Sequence, residues 1–261
     1  MGTQSRKKYF FFDVDGTLVP MAGGREIPDS TRAAISELKR RGHFCAIATG
    51  RSQYMAQDFC RELGFDNMVS DGGNGITLEG KLLEIQPLPR ELCLELAREC
   101  DERDIPWAVS PDNSGVRLTK DRRFADLVGN FYMRTAVKEG MDITSFDQII
   151  KMYVGCPSGE EKNIPALEKL PWVRYQPEYI FVEPTDKAVG IRRVMDYYHA
   201  PYEDVVVFGD GYNDLTMFDP QWLSIAMGNA VPELKAKADF ITRNADDDGV
   251  VYALRHFGWI E

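Results

Sequence analysis

Histidine is scarce in this sequence of 261 residues. There are three, His43, His199 and His256, and none falls in the polar clusters described below. Histidine-based catalysis and a zinc centre therefore have no support. Cysteine is nearly as rare. The five (Cys45, Cys60, Cys93, Cys100 and Cys156) are scattered, odd in number and without a CxxC pair. That excludes a disulfide framework or a zinc knuckle and predicts buried free thiols. Positive charge is short as well. Net charge is −10, and no basic run exceeds Lys7-Lys8 or Arg40-Arg41. Nucleic-acid binding, which depends on phosphate neutralisation by clustered Lys and Arg, is not expected. No apolar stretch approaches the roughly 18 residues of a membrane span. The polar opening Met1–Lys8 precedes an apolar run cut short by Asp13, unlike a secretory signal, so the expected location is cytoplasmic. Repeats and low-complexity segments are also absent.

What is present is a rhythm of strands and helices. Tyr9–Phe12 is continuously apolar, as in a parallel strand covered on both faces. A helix is predicted from about Ser30 to Arg41, with Ala34, Ile35 and Leu38 at helical spacing, Asp29 or Ser30 as its cap and Gly42 as its stop. Phe44–Ala48 reads as the next strand, Tyr54–Leu63 as a helix and Met68-Val69 as a third strand. This βαβαβ order predicts a doubly wound, Rossmann-like α/β sheet. From Ile76 the pattern changes to a hairpin (Ile76–Leu78 and Lys81–Ile85). A proline-punctuated stretch follows, with helices at about Arg90–Arg103, Arg122–Tyr132 and Ile164–Leu170 and short strands near Trp107, Val116, Met152 and Phe181. After Pro184 the first rhythm resumes: helix Lys187–Tyr198, strand Val205–Phe208, short helix Leu215–Phe218 and strand Leu223–Ala226. Val231–Ala238, Phe240-Ile241 and Val250–His256 continue it. The expected organisation is a core of residues 1–84 and 184–261 with an inserted α+β domain at 85–183. Trp107, Tyr132, Tyr153 and Trp172 are expected chiefly to pack the insertion, and Asp246-Asp247-Asp248 to cap the last helix or lie in solvent.

Three polar clusters follow apolar strands, where ligands bind in open α/β sheets. In Asp13-Val14-Asp15-Gly16-Thr17, two carboxylates two residues apart are costly to gather unless something positive lies between them. A hard divalent cation would serve. An EF-hand is excluded because its sixth-position glycine and terminal glutamate are missing. Thr49-Gly50-Arg51 offers a hydroxyl and backbone N–H groups at a helix start, suited to phosphate oxygens. Gly209-Asp210-Gly211-Tyr212-Asn213-Asp214 adds two more carboxylates, strengthening the case for a cation. Lys187 opens the helix that leads back to the core.

In that order these segments resemble the haloacid dehalogenase superfamily, and within it the Cof-type phosphatases, which carry a large cap between the second and third motifs. The resemblance spans essentially the whole chain. It implies that Asp13 is the nucleophile, and that Asp15 protonates the leaving oxygen and then activates water. Thr49, the Gly50 amide and Asn213 would hold the phosphate side, and Lys187 would neutralise charge. Mg²⁺ would be held by Asp13, the Asp15 carbonyl and Asp210. Asp214 would be a ligand itself, a ligand through water, or a group behind the ligands. The implied activity is hydrolysis of small phosphate monoesters, sugar phosphates or similar metabolites, by a protein for which a monomer is compatible. A phosphomutase on the same scaffold keeps the same motifs. A receiver-like phosphoprotein is disfavoured by Asp15 and the insertion. Val182–Lys187 departs from the branch pattern, lacking the glycines that commonly precede and follow this lysine, with Gly190 three residues later, and Asn74 in Asp71-Gly72-Gly73-Asn74-Gly75 is expected to shape a turn.

Overall fold

The computed structural model describes residues 6–21, 26–130 and 132–261. The chain divides into two compact units: residues 1–51, 56–84 and 186–261, and residues 52–55 with 85–185. The first, the core unit, opens with β1 (Tyr9–Phe12), α1 (Asp29–Arg40), β2 (Phe44–Ala48), α2 (Gln53–Glu62, whose first turn belongs to the other unit) and β3 (Met68–Ser70). The hairpin β4 (Gly75–Leu78) and β5 (Lys81–Ile85) follows. The inserted unit contains α3 (Arg90–Glu102), β6 (Trp107–Ser110), β7 (Val116–Thr119), α4 (Arg122–Val128), β8 (Arg134–Val137), β9 (Lys151–Val154), β10 (Trp172–Gln176) and β11 (Tyr179–Val182). The core then resumes with α5 (Lys187–Tyr197), β12 (Val205–Gly209), β13 (Leu223–Ala226), α6 (Pro232–Lys237), β14 (Phe240–Ile241) and α7 (Gly249–His256).

Among the described residues the core strands form a sheet in the order β14-β13-β12-β1-β2-β3-β4-β5, parallel from β14 to β3 and antiparallel at β4. β1 lies centrally, with Phe12 opposite Phe208 of β12 and Ile47 of β2. Its four residues are all buried, which is why the strand reads as an unbroken apolar run rather than an alternating one. Phe12 and Phe208 stack with centroids 4.9 Å apart. This packing holds the C-terminal ends of β1, β2 and β12 side by side, so the polar segment after each emerges at one edge. All five cysteines are free and buried. Among the described residues no helix is long and apolar enough to cross a membrane.

The inserted unit has its own sheet, in the order β10-β11-β9-β6-β7-β8. One face buries Trp107, Val109, Met152, Val154, Ile180 and Val182 with α3 residues Cys93, Leu96 and Ala97. The other gathers Ala108, Phe124, Tyr153, Tyr179 and Phe181. Trp107 and Tyr153 are buried as expected, but Tyr132 and Trp172 are 54% and 37% exposed. Trp172 starts the edge strand β10, and Tyr132 occupies a turn at positive φ.

Several local expectations need correction. β8 and β10 are edge strands of mixed polarity (RTAV and WVRYQ), half exposed and so without the pattern of a buried strand. The helix expected to Tyr132 ends at Val128, and Phe131 lies outside the described residues. Ile164–Leu170 forms a 3₁₀ segment over Pro165–Lys169, because Pro165 and Pro171 restrict the backbone on either side. Leu215–Phe218 is not helical. The coil starts earlier, as a 3₁₀ turn at Tyr212–Asp214 that ends with the Leu215 N–H on the Tyr212 carbonyl. Neither Asp29 nor Ser30 caps α1, whose N-cap is Pro28; the Ser30 hydroxyl instead donates to Asp248. Asp248 precedes α7 in a left-handed conformation without a cap hydrogen bond, and Asp246, Asp247 and Asp248 are exposed, so the solvent alternative expected for them holds.

Candidate active site

The central feature is a buried lysine between two carboxylates. Asp13 leaves β1 directly, its N–H donating to the Phe208 carbonyl of β12. Lys187, first residue of α5, points its ammonium at both Asp13 Oδ1 (2.5 Å) and Asp214 Oδ1 (2.6 Å). The start of α5 is set by Asp186, whose carboxylate accepts the Ala188 N–H. The helix packs close to β3 because Gly190 leaves room, since a Cβ there would meet Val69 Cγ1 at 2.4 Å and the Gly73 carbonyl at 2.7 Å. Gly190 therefore serves close helix–strand contact.

Asp214 is fully buried and uses both oxygens. Oδ1 accepts from Lys187, and Oδ2 accepts the N–H groups of Asp210 and Gly211, which folds the loop after β12 back on itself. Asp210 is held by the Thr17 hydroxyl, which donates to Oδ1 at 3.0 Å. Gly16 permits this approach, because at φ +88° a Cβ would sit 2.1 Å from Asp210 Oδ2. The residues after β1 and after β12 are thus locked together, although 193 positions separate Thr17 from Asp210.

Three carboxylates face one ammonium here, and the electrostatics follow. Burial, then the charge of Asp214, push the Asp13 carboxyl up to about 8 against the pull of Lys187. Burial and Asp214 likewise raise Asp210 to about 6 despite the bond from Thr17. Burial disfavours the Lys187 charge, but Asp13 and Asp214 outweigh it and hold the ammonium protonated above the ordinary lysine range. One oxygen from each of Asp13, Asp210 and Asp214 lies within 4.8 Å of the others. Hard oxygen donors with excess negative charge, two of them resisting ionisation, fit a small divalent cation such as Mg²⁺.

Asp15 is 54% exposed at its side chain and is gripped by Arg51, whose guanidinium donates to both carboxylate oxygens at 2.8 and 2.9 Å. Arg51 also lies over the Phe59 ring at 5.3 Å. Thr49 is buried at the end of β2, its N–H on the Val69 carbonyl and its hydroxyl accepting the Arg51 N–H. Gly50 lies between these two anchored residues. Asn213 is exposed on the 3₁₀ turn. The turn after β3 is closed by the Asn74 N–H on the Asp71 carbonyl, as expected of a turn residue: Asp71, Gly72 and Gly73 take positive φ, Asn74 sits at −85°, and its carbonyl accepts from Arg193. Sequence reading passed over Thr17 and Arg51 as partners of the acids. Both lie inside the quoted motifs, yet nothing in their spacing names a partner so distant in the chain.

The profile of the haloacid dehalogenase-like hydrolases matches residues 10–254. A putative phosphatase of Bacillus subtilis, YkrA, is 33% identical over 257 residues, covering 97% of this chain and 99% of its own. A solved structure of a hypothetical protein from Geobacillus kaustophilus superimposes with a TM-score of 0.80 at 30% identity, covering 98% of this chain and all of the other. The subclass IIB sugar phosphatase BT4131 gives a TM-score of 0.75 at 25% identity, over 97% of this chain and all of its own. The chain belongs to the haloacid dehalogenase-like hydrolases, in their Cof-type phosphatase branch.

Proposed function

We propose that this enzyme hydrolyses small phosphate monoesters, sugar phosphates or similar metabolites, through an aspartyl-phosphate on Asp13 with Mg²⁺ bound. The observation that carries this reading is Lys187, buried and held by Asp13 and Asp214 at the ends of the central strands. A carboxylate nucleophile must meet an anionic ester, and a fixed ammonium at 2.5 Å offsets that repulsion. Likeness to a sugar phosphatase supports the substrate class.

In the first step a carboxylate oxygen of Asp13 attacks phosphorus, and the bond from phosphorus to the ester oxygen breaks. Asp15 gives a proton to that leaving oxygen. The Thr49 hydroxyl and the Gly50 N–H bind phosphoryl oxygens, with Asn213 on the same side, and Lys187 stays charged throughout. In the second step Asp15 takes a proton from water, whose oxygen attacks the acyl phosphate. Phosphate departs and the Asp13 carboxylate is restored. Arg51 orients Asp15 from outside the reacting atoms. Asp13, the Asp15 carbonyl and Asp210 would hold Mg²⁺, while Asp214 positions Lys187 and the loop after β12. Bound there, the cation supplies electrostatic clamping of the phosphoryl group.

The test is phosphate release from p-nitrophenyl phosphate and a panel of sugar phosphates, with Mg²⁺ or EDTA, by wild type and Asp13→Ala. Turnover that needs Mg²⁺ and disappears on substitution is expected. Folded wild type that releases no phosphate from any ester would overturn the reading.

A further inference from the structure

One side chain ties together three loops at the strand ends without belonging to any of the motifs above. Asn229 lies in the turn after β13. Its Nδ2 donates to the Gly16 carbonyl at 2.8 Å and approaches Asp210 Oδ2 at 3.4 Å, while its Oδ1 accepts the Ala245 N–H at 2.8 Å. The loops after β1, β12 and β14 thus meet on one amide. A primary amide has two N–H groups and an acceptor oxygen, so a single group can satisfy all three. A carboxylate could not donate to Gly16 or Asp210, and a hydroxyl is too short to span them.

The backbone around Asn229 is anchored independently. The Met227 N–H donates to the Gly209 carbonyl, Gly228 to Arg243 and Val231 to Asp210. The turn therefore keeps its place without the side chain, which leaves the amide a different task. Thr17 holds one oxygen of Asp210 and Asn229 reaches the other, so the carboxylate is oriented from both sides. The same amide fixes the Gly16 carbonyl, next to the Asp15 peptide.

We infer that Asn229 is a positioning residue that presets Asp210 and the loop after β1 for a divalent cation. This rests on the reading of the site as an Mg²⁺ centre. Groups that orient metal ligands from behind typically contribute about 10–100-fold to affinity.

The experiment is isothermal titration of wild type, Asn229→Ala and Asn229→Ser with Mg²⁺ alone, beside thermal melts in EDTA and kinetics on p-nitrophenyl phosphate. Should one variant fail to fold, the other is read. The dissociation constant for Mg²⁺ is expected to rise about 10–100-fold. KM for the ester at saturating Mg²⁺ should stay within about threefold of wild type, and the melting temperature in EDTA nearly unchanged, given the backbone anchors. Affinity within about twofold of wild type, with or without a lower melting temperature, would assign Asn229 a merely structural role and overturn the inference alone. Wild type that binds no Mg²⁺ would overturn the inference and the metal reading together. If wild type binds Mg²⁺ but hydrolyses no ester, only the phosphatase reading falls, and the titrations still decide the role of Asn229.

Discussion

In the core unit Lys187 faces two buried carboxylates, with Asp210 beside them. In the inserted unit Lys151 pairs with Glu183 at 2.7 Å, and Glu183 also accepts from the Tyr175 hydroxyl. Both lysines are almost wholly buried. Nearby in the inserted unit, Arg117 is fully buried among the rings of Phe124, Tyr153 and Tyr179 and donates to Thr135 and Gly129. One region keeps an excess of negative charge that a single ammonium does not balance. The other matches charge to charge, or cation to ring. Burial alone therefore does not mark a site, because a buried ion pair with its hydrogen bonds complete can be purely structural. That imbalance suits a bound cation, and it adds to burial, the larger cause, in raising Asp13 and Asp210.

The sharpest way to break this contrast is to change the charge in each region and ask what is lost. Asp13→Asn should abolish phosphate release in a steady-state assay. The same substitution should raise the melting temperature in EDTA, since it removes one of three crowded carboxylates. A lower melting temperature in EDTA would show that the core cluster is balanced after all.

In the inserted unit the expectation reverses. Lys151→Met leaves Glu183 buried without its counter-charge and should cost about 3–5 kcal/mol in chemical denaturation. Adding Glu183→Leu should recover much of that loss, because apolar pairs often replace buried ion pairs at little cost. If the double substitution is as damaging as the single one, the pair is more than structural.

A smaller effect concerns pH. With Asp13 raised to about 8 and Asp210 to about 6, bound protons must leave when a cation enters. Mg²⁺ should therefore bind more weakly as pH falls from 8 to 6, by about tenfold per pH unit for each proton displaced. Calorimetry in buffers of different ionisation enthalpy measures that proton release directly. Pairs such as Glu37 with Arg40 and Arg41, already matched and remote from the three acids in sequence, should show no such linkage.

The smallest expected effect separates burial from function within the core unit. His43 is buried, its Nδ1 accepting the Lys8 N–H and its ring edge on Phe10. Burial, then Arg41, Lys8 and Lys7, lower its pKa. The unfolded chain thus takes up a proton more readily than the folded one. Stability is complete above the ordinary histidine pKa and declines as pH falls below it. Denaturation midpoints at pH 7.5 and 5.5 should differ in wild type and differ less in His43→Phe, with phosphatase activity at pH 7.5 retained.

Sequence alone determined the α/β rhythm of the core, because strands covered on both faces must be apolar throughout, as Tyr9–Phe12 and Val205–Phe208 are. It also determined which polar segments follow those strands, and so which side chains reach the sheet edge. Local periodicity failed where burial is partial: the edge strands Arg134–Val137 and Trp172–Gln176 carry no distinctive pattern, and the coil at Tyr212–Asp214 is set by a side chain turning back on its own loop. Only the tertiary structure decided the partners. Thr17 with Asp210, Arg51 with Asp15, Lys187 between Asp13 and Asp214, and Asn229 across three loops are each made by segments distant in sequence. Hydrogen bonds and charge pairs depend on distance in space, and a linear pattern carries no information about that until the sheet has brought its strand ends together.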